Sequence, residues 1–526
     1  MPTIRSLLMG VAAAALPLAA AAETPEGVLV VAQNIDDIVA LDPAQAYEFT
    51  SGEIVTNVYD RLVQYDAEDT TVLAPGLATE WEIDEEAKSI AFTLREGATF
   101  HSGNPVRPED VTGSLARVIE LNLTPAFILA QLGWTPENVR EMVTSEGNTV
   151  TVRYEGEFSP AFVMNVLASR PASVVDMETV MANAEGDDQG NAWLNANSAG
   201  SGPFAMTAFR PAEIVRLEAH EDYFKDGPFL DGVILRHVAE SATQQLLLEQ
   251  GDVDIAKNLT PDQVAGLEDD LQVETYPQAA VHFLSFNQKT ESLTPPAVWE
   301  AARYLVDYEG MASTILDGQM EIHQAFWPEG FPGSLDATPF AYDPERAKQI
   351  LEEAGVETAI EVTLDVINSA PFTDMAQSLQ ASFADAGISL EILPGTGSQV
   401  ITKYRDRSHE AMLLYWGPDF MDPHSNAKAF AYNSDNSDEN YTATTTWRNA
   451  WAVPGDMNEM TTAALTEADP EAREDMYREL QRRVQQESPI VIMFQAIKQV
   501  AMAPDVSGYV NGATSDFVFY RLVEKE

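Results

Sequence analysis

Apolar residues recur along this chain in two rhythms. In "SIAFTL", Ile90, Phe92 and Leu94 take alternate positions, and in "NTVTVRY" Val150, Val152 and Tyr154 do the same. A period of two predicts strands with one buried face. A helical rhythm replaces it in "RPEDVTGSLARVIEL", where Pro108 and two acids occupy the first turn, as proline's fixed φ and the helix dipole favour. Residues 343–393 combine both. Asp343 caps, Pro344 opens a helix through "ERAKQILEEA", and Gly355 supplies a left-handed stop. A strand, "AIEVTLDVI", a helix, "FTDMAQSLQASFADA", a stop at Gly387 and a strand, "SLEIL", follow. That order predicts a β-α-β unit with parallel strands and a right-handed crossover. A last helix, "PEAREDMYRELQRRVQQE", leads into an apolar strand, "IVIMF". The expected fold class is therefore α/β mixed with α+β, and 526 residues call for two or three domains.

The N-terminus carries a different pattern. "MPTIR" brings a positive charge, "SLLMGVAAAALPLAA" an apolar stretch broken by Pro17, and "AAA" the small residues before Glu23. This predicts a cleavable secretory signal over residues 1–22 and an exported mature chain, in the periplasm. The chain has no cysteine, which leaves no lipid-anchor site, disulfide frame or thiolate metal site. With 30 Lys and Arg against 83 Asp and Glu, the formal net charge is −53. Such a field repels nucleic acid and anionic lipid, whose binding depends on phosphate neutralisation. The acids are spread along the chain, as on a solvated surface.

The stretch with the most chemistry is "LLYWGPDFMDPHS". An apolar strand over residues 412–416 stops at Gly417 and Pro418, and Asp419, Asp422, Pro423 and His424 follow. Aromatic side chains crowd the neighbourhood, among them Tyr415, Trp416, Phe420, Tyr441, Trp447 and Trp451. Most of these are expected in core. A carboxylate held at a rigid strand end, in surroundings that exclude water, suits a cationic ligand. No Gly-x-Ser-x-Gly elbow, cysteine nucleophile or His-Glu-x-x-His motif points to an enzyme.

Eight motifs in fixed order, "VYDRLVQYD", "LAPGLATEWEI", "FTLREGATFHSGNPVRPEDV", "GSGPF", "GDVDIA", "FLSFN", "YDPERAKQILEEAG" and "WGPDFMDP", resemble the extracytoplasmic solute-binding proteins of the peptide/nickel class, solute-binding protein family 5. The resemblance implies a periplasmic-binding-protein type II-like clamp of two lobes with an extra inserted domain. Lobe I would take residues 23–52, 198–278 and 487–526, the inserted domain 53–197, and lobe II 279–486. It implies a monomer that captures a small-molecule or peptide ligand for the permease subunits of an ATP-binding-cassette importer, with no cofactor, metal or catalytic step. In peptide-binding relatives the pattern Trp-x-x-Asp-x-x-acid-Pro carries the aspartate that pairs with the ligand's α-ammonium. Here it is filled by Trp416, Asp419, Asp422 and Pro423. Asp419 is thus the expected counter-charge, Trp416 and Trp447 expected pocket walls, and Asp422 a turn-shaping residue.

One departure bears on the ligand. Dipeptide-binding relatives carry an arginine for the ligand carboxylate ahead of the helix "DMAQSLQASF", and no Lys or Arg occurs here from Glu352 through Thr402. Either Arg405, Arg407 or another basic side chain substitutes, or the carboxylate lies elsewhere, or the ligand has none. His424 after Asp-Pro resembles the nickel-binding branch, but a lone histidine is a poor site when ligands come in threes and fours. The expected function is capture of peptides or peptide-like amines. The alternatives are an oligosaccharide, opine or nickel-chelate binder of the same family, or a secreted hydrolase with two carboxylates across a cleft.

Overall fold

The computed structural model describes residues 24–526 apart from 68, 70, 71, 157, 268, 269, 357, 358, 441, 443, 515 and 516. The expected signal over 1–22, its end before Glu23, and Tyr441 lie outside the described residues.

A single mixed sheet of eleven strands runs through two lobes. In one lobe Val28–Gln33 lies parallel to Gly232–His237 and to the short Ile255–Ala256, and the antiparallel strands Ile214–Ala219 and Phe204–Arg210 extend the edge. In the other, Ile360–Ile367 lies parallel to both Ile388–Gly395 and Ala411–Trp416. The β-α-β unit forms as its periodicity predicts: Ile360 faces Ile388 in register, and the helix Phe372–Asp385 makes the crossover. Asp343 caps the preceding helix Pro344–Glu353 by accepting from the Arg346 amide at 2.9 Å, and Gly355 takes φ +68° after it.

Two long antiparallel strands, Gln272–Phe286 and Ile490–Met502, join the halves. Their register shifts between Pro277, opposite Ile497, and Val281, opposite Gln495. Proline has no N–H for the ladder, so a break is tolerated there. The displaced backbone finds another partner, Ala279 N–H donating to Ala513 O at 2.8 Å.

The second lobe is buried on both faces of its sheet, which explains the unbroken apolar runs. Alternate residues serve opposite cores. Leu284, Phe286, Ala411 and Leu413 face Leu379 and Phe383, whereas Val281, Phe283, Met412 and Leu414 face Phe430, Tyr477 and Leu480. Within residues 78–153 a separate four-stranded antiparallel sheet, Ala78–Asp84, Ser89–Leu94, Thr149–Arg153 and Val143–Glu146, presents Ile90, Phe92, Val150 and Val152 to the helix Pro108–Leu121. Its alternating apolar residues are the buried ones, with Ile90, Phe92 and Leu94 on one side. Among the described residues no helix is long and apolar enough to cross a membrane.

Candidate functional site

The strand Ala411–Trp416 delivers Trp416 to its end, and Gly417 and Pro418 stop it. The chain then turns into the helix Pro423–Ala431, and this helix fixes the turn. Asp422 is its N-cap, accepting from His424 N–H at 2.9 Å, and it also accepts from Arg473 Nη2 at 2.7 Å. Asp422 is 1% exposed, so its charge is spent within the protein and its part is to shape the turn. One turn on, Ser425 Oγ accepts from Asp419 N–H at 2.9 Å, and Asn426 Oδ1 accepts from Trp416 Nε1 at 3.2 Å. Asn426 is itself held by Phe326 O at 2.6 Å. One helix therefore positions both Trp416 and Asp419.

The Asp419 carboxylate meets a group from the other lobe. Tyr47 Oη donates to Asp419 Oδ1 at 2.7 Å, and the Tyr47 ring packs edge-on against Phe127 of the region between residues 126 and 167, centroids 6.2 Å apart. Phe162 of that region packs on Phe420 at 5.5 Å and on His424 at 5.8 Å. Three parts of the molecule thus meet at Asp419. Although the residue keeps some accessible surface, the protein around its carboxyl removes water, and this desolvation raises its pKa above the usual carboxylate range. The Tyr47 hydrogen bond and the charges of Arg170, Arg448 and Lys428 pull the other way without overcoming it. Burial, then the Asp419 charge, pushes the Tyr47 phenol well up. The Arg448 guanidinium also lies 5.9 Å from the centre of the Trp416 ring and 5.3 Å from that of Tyr404. A carboxylate that is costly to ionise, flanked by an aromatic face and by basic groups, is suited to a ligand bearing an ammonium and a nearby negative group.

The other expected residues are placed differently. Trp447 is 3% exposed, donates through Nε1 to Ser437 O at 2.9 Å, and carries the Arg407 guanidinium 4.4 Å above its ring. Arg407 in turn bonds Asp438 at 2.7 Å. Both are thus engaged with the 436–438 segment, and neither is among the groups acting on Asp419. Arg405 ends the helix Gly397–Arg405 with its side chain exposed, while the cations acting on Asp419 are Arg170, Arg448 and Lys428. His424 is buried, its Nδ1 3.2 Å from Tyr477 Oη, and burial lowers its pKa to about 3. Among the described residues no three His, Asp or Glu side chains are grouped to hold a metal ion.

Reading the sequence missed Tyr47, Arg170, Arg448 and Lys428. Tyr47 is 372 positions from its partner, and no local pattern marks it. Arg448 did carry a signal, since it directly follows Trp447 in the aromatic segment.

This geometry coincides with a clear kinship. Residues 72–438 match the family model of the bacterial extracellular solute-binding proteins, family 5, and the chain belongs to that family. Among curated relatives it is 27% identical to the probable D,D-dipeptide-binding periplasmic protein DdpA of Escherichia coli (strain K12), over 98% of this chain and 97% of that protein. Two solved structures share the two-lobe fold. The periplasmic binding protein DppA from Helicobacter pylori, in complex with the peptide STSA, superposes with a TM-score of 0.79 at 22% identity, covering 95% of this chain and 98% of that one. The binding protein AgaA from A. tumefaciens R10, in complex with agropinic acid, gives 0.76 at 21% identity, covering 95% and 99%.

Proposed function

We propose that this chain is the substrate-binding component of an ABC importer, capturing peptides or peptide-like amines between its lobes in the periplasm and passing them unchanged to membrane permease subunits. The observation that carries the reading is Asp419, whose backbone N–H is held by Ser425 of the helix Pro423–Ala431 and whose carboxylate is reached by Tyr47 from the opposite lobe. An ammonium inserted beside it would relieve a desolvated charge, and only a ligand that prefers the closed form can shift the lobes toward it. No arginine precedes Phe372 in the stretch from Glu352, but Arg170 and Arg448 place positive charge near Asp419, so a zwitterionic ligand main chain fits there. The names of the relatives, dipeptide-binding above all, support the same class.

The register break between Pro277 and Val281 supports a lobe boundary near residue 278. On the returning strand the crossing is best placed opposite that break, at 495–497, later than 487. The inserted domain is assigned to 53–197, and the protein acts as a monomer.

Native mass spectrometry of freshly purified protein tests this function. The expected result is a co-purified solute with a primary or secondary amine, recovered with unaltered mass after incubation. A solute that the protein converts to another mass, or one without an amine, would contradict the proposal.

A further inference from the structure

Tyr415 precedes Trp416 on the strand and so faces the other side of the sheet, where it anchors a second group between the lobes. Its ring lies 5.9 Å from Phe372 and 5.8 Å from His282, which are 5.4 Å from each other. From the first lobe Phe49 closes on it at 6.5 Å, with 51% of its own surface exposed. Asp37 stands at the same junction. Its Oδ2 accepts from Thr50 N–H, next to Phe49, at 3.1 Å, and its charge acts on the Tyr415 phenol.

Two polar atoms in this group are unsatisfied. Asp37 Oδ1 and His282 Nδ1 are both buried without a hydrogen-bond partner, and His282 as a whole is 6% exposed. Burial lowers the His282 pKa to about 4, so its imidazole is neutral and can offer a lone pair. Buried polar atoms of native proteins are nearly always paired, and an unpaired carboxylate oxygen is the more costly of the two. Aromatic faces beside such acceptors favour a cation with N–H donors to spare. The stretch that supplies Phe372, from Glu352 to Thr402, contains no Lys or Arg.

We propose that the group formed by Asp37, Phe49, His282, Phe372 and Tyr415 is a second recognition point in the cleft, for a cationic side chain of the ligand, guanidinium or ammonium. The inference rests on the peptide-like reading above and narrows it to peptides or peptide-like amines that carry a basic group besides the one at Asp419. The neutral imidazole accepts one N–H, the Asp37 carboxylate balances the charge, and the rings exclude water around both.

Calorimetry with arginyl-alanyl-alanine and its citrullinyl counterpart, nearly the same in shape but uncharged, tests the proposal. The wild type is expected to bind the arginyl peptide about tenfold or more tightly than the citrullinyl one, the scale of a charge-assisted pair. The amide side chain keeps a carbonyl for Thr50 N–H, so Asp37→Asn should fold normally and bring the two within about twofold by weakening only the arginyl peptide. Asp419→Asn should weaken both and preserve their ratio. Equal binding of the two peptides by wild type, with both lost in Asp419→Asn, would overturn the second cation point and leave the amine reading standing. Equal weakening of both peptides by Asp37→Asn would show a purely structural cap and also overturn it. Binding that Asp419→Asn leaves untouched, or no binding of either peptide, would overturn both readings together.

Discussion

Tyr47 Oη donates to Asp419 Oδ1 at 2.7 Å, joining one lobe to the other across 372 positions of sequence. The bond places a neutral donor on a carboxylate whose surroundings disfavour its charge. Tyr47→Phe is therefore expected to raise the Asp419 pKa further. Affinity for an amine ligand should fall on acidification from a higher pH than in wild type. Titrating binding by calorimetry between pH 4 and 8 measures the shift, and superimposable profiles would deny the bond any influence on the site.

Asp419 carries a cost for the ligand-free fold. Its pKa is raised in the folded state, so the folded protein holds the proton more tightly than the unfolded chain does. Stability from this group is full below the unfolded value and is lost as pH rises through the folded one. Asp419→Asn should consequently leave the melting temperature of the ligand-free protein at pH 7 unchanged or higher, while a given ligand concentration raises it less than in wild type. A clear drop for the ligand-free variant would mean that the carboxylate stabilises the fold.

Asp422 and Arg473 should behave in the opposite way. Their ion pair, at 2.7 Å with side chains 1% and 10% exposed, is structural. Removing one partner of a buried pair costs about 3–5 kcal/mol because the other charge is stranded. Asp422→Ala is expected to lose about that much in urea unfolding, with ligand affinity at low temperature nearly intact. Wild-type stability together with lost binding would exchange the roles of Asp419 and Asp422.

His424 gives a pH signature of its own. Burial, ahead of the opposing Asp422 charge, lowers its folded pKa to about 3 against 6.5 for the free residue. The unfolded chain therefore takes up a proton first, and stability falls as pH drops from about 6.5 towards 3. His424→Gln removes this contribution. Whatever its stability at pH 7, the variant should lose about 1–2 kcal/mol less than wild type between pH 7 and pH 5. Equal losses would mean that the imidazole is protonated in the folded protein.

The register break between Pro277 and Val281 is expected to let the lobes turn about the two crossing strands. Small-angle scattering should show contraction when a bound solute is added back to stripped protein. Identical profiles at saturation would argue against closure.

The sequence announced what depends on neighbours along the chain. The β-α-β unit, the Asp343 cap and the Trp416 strand end followed from period, capping and proline, all local. The site was half legible for the same reason. Asp419, Trp416 and the turn around Asp422 lie within one short segment, but Tyr47 and Arg170 arrive from distant ones by packing alone. The aromatic richness of residues 415–451 did not distinguish a ring in a cleft from a ring under a guanidinium. Trp447 is of the second kind, stacked beneath Arg407, and its neighbour Arg448 is the residue near Asp419. Arg405 brings a charge in the right stretch of sequence, but it sits at the exposed end of its helix.

The central claim, that Asp419 is the counter-charge for a ligand amine, is tested most directly by a calorimetric cycle. The co-purified solute and its N-acetylated form are each titrated into wild type and into Asp419→Ala. Losing one member of a buried charge pair costs roughly 2–5 kcal/mol, so Asp419→Ala should weaken the native solute by about one and a half to three and a half orders of magnitude. Acetylation should weaken wild-type binding severely and the variant much less, because the interaction it removes is already gone. Wild-type affinity in Asp419→Ala, or an equal effect of acetylation on both proteins, would contradict the claim.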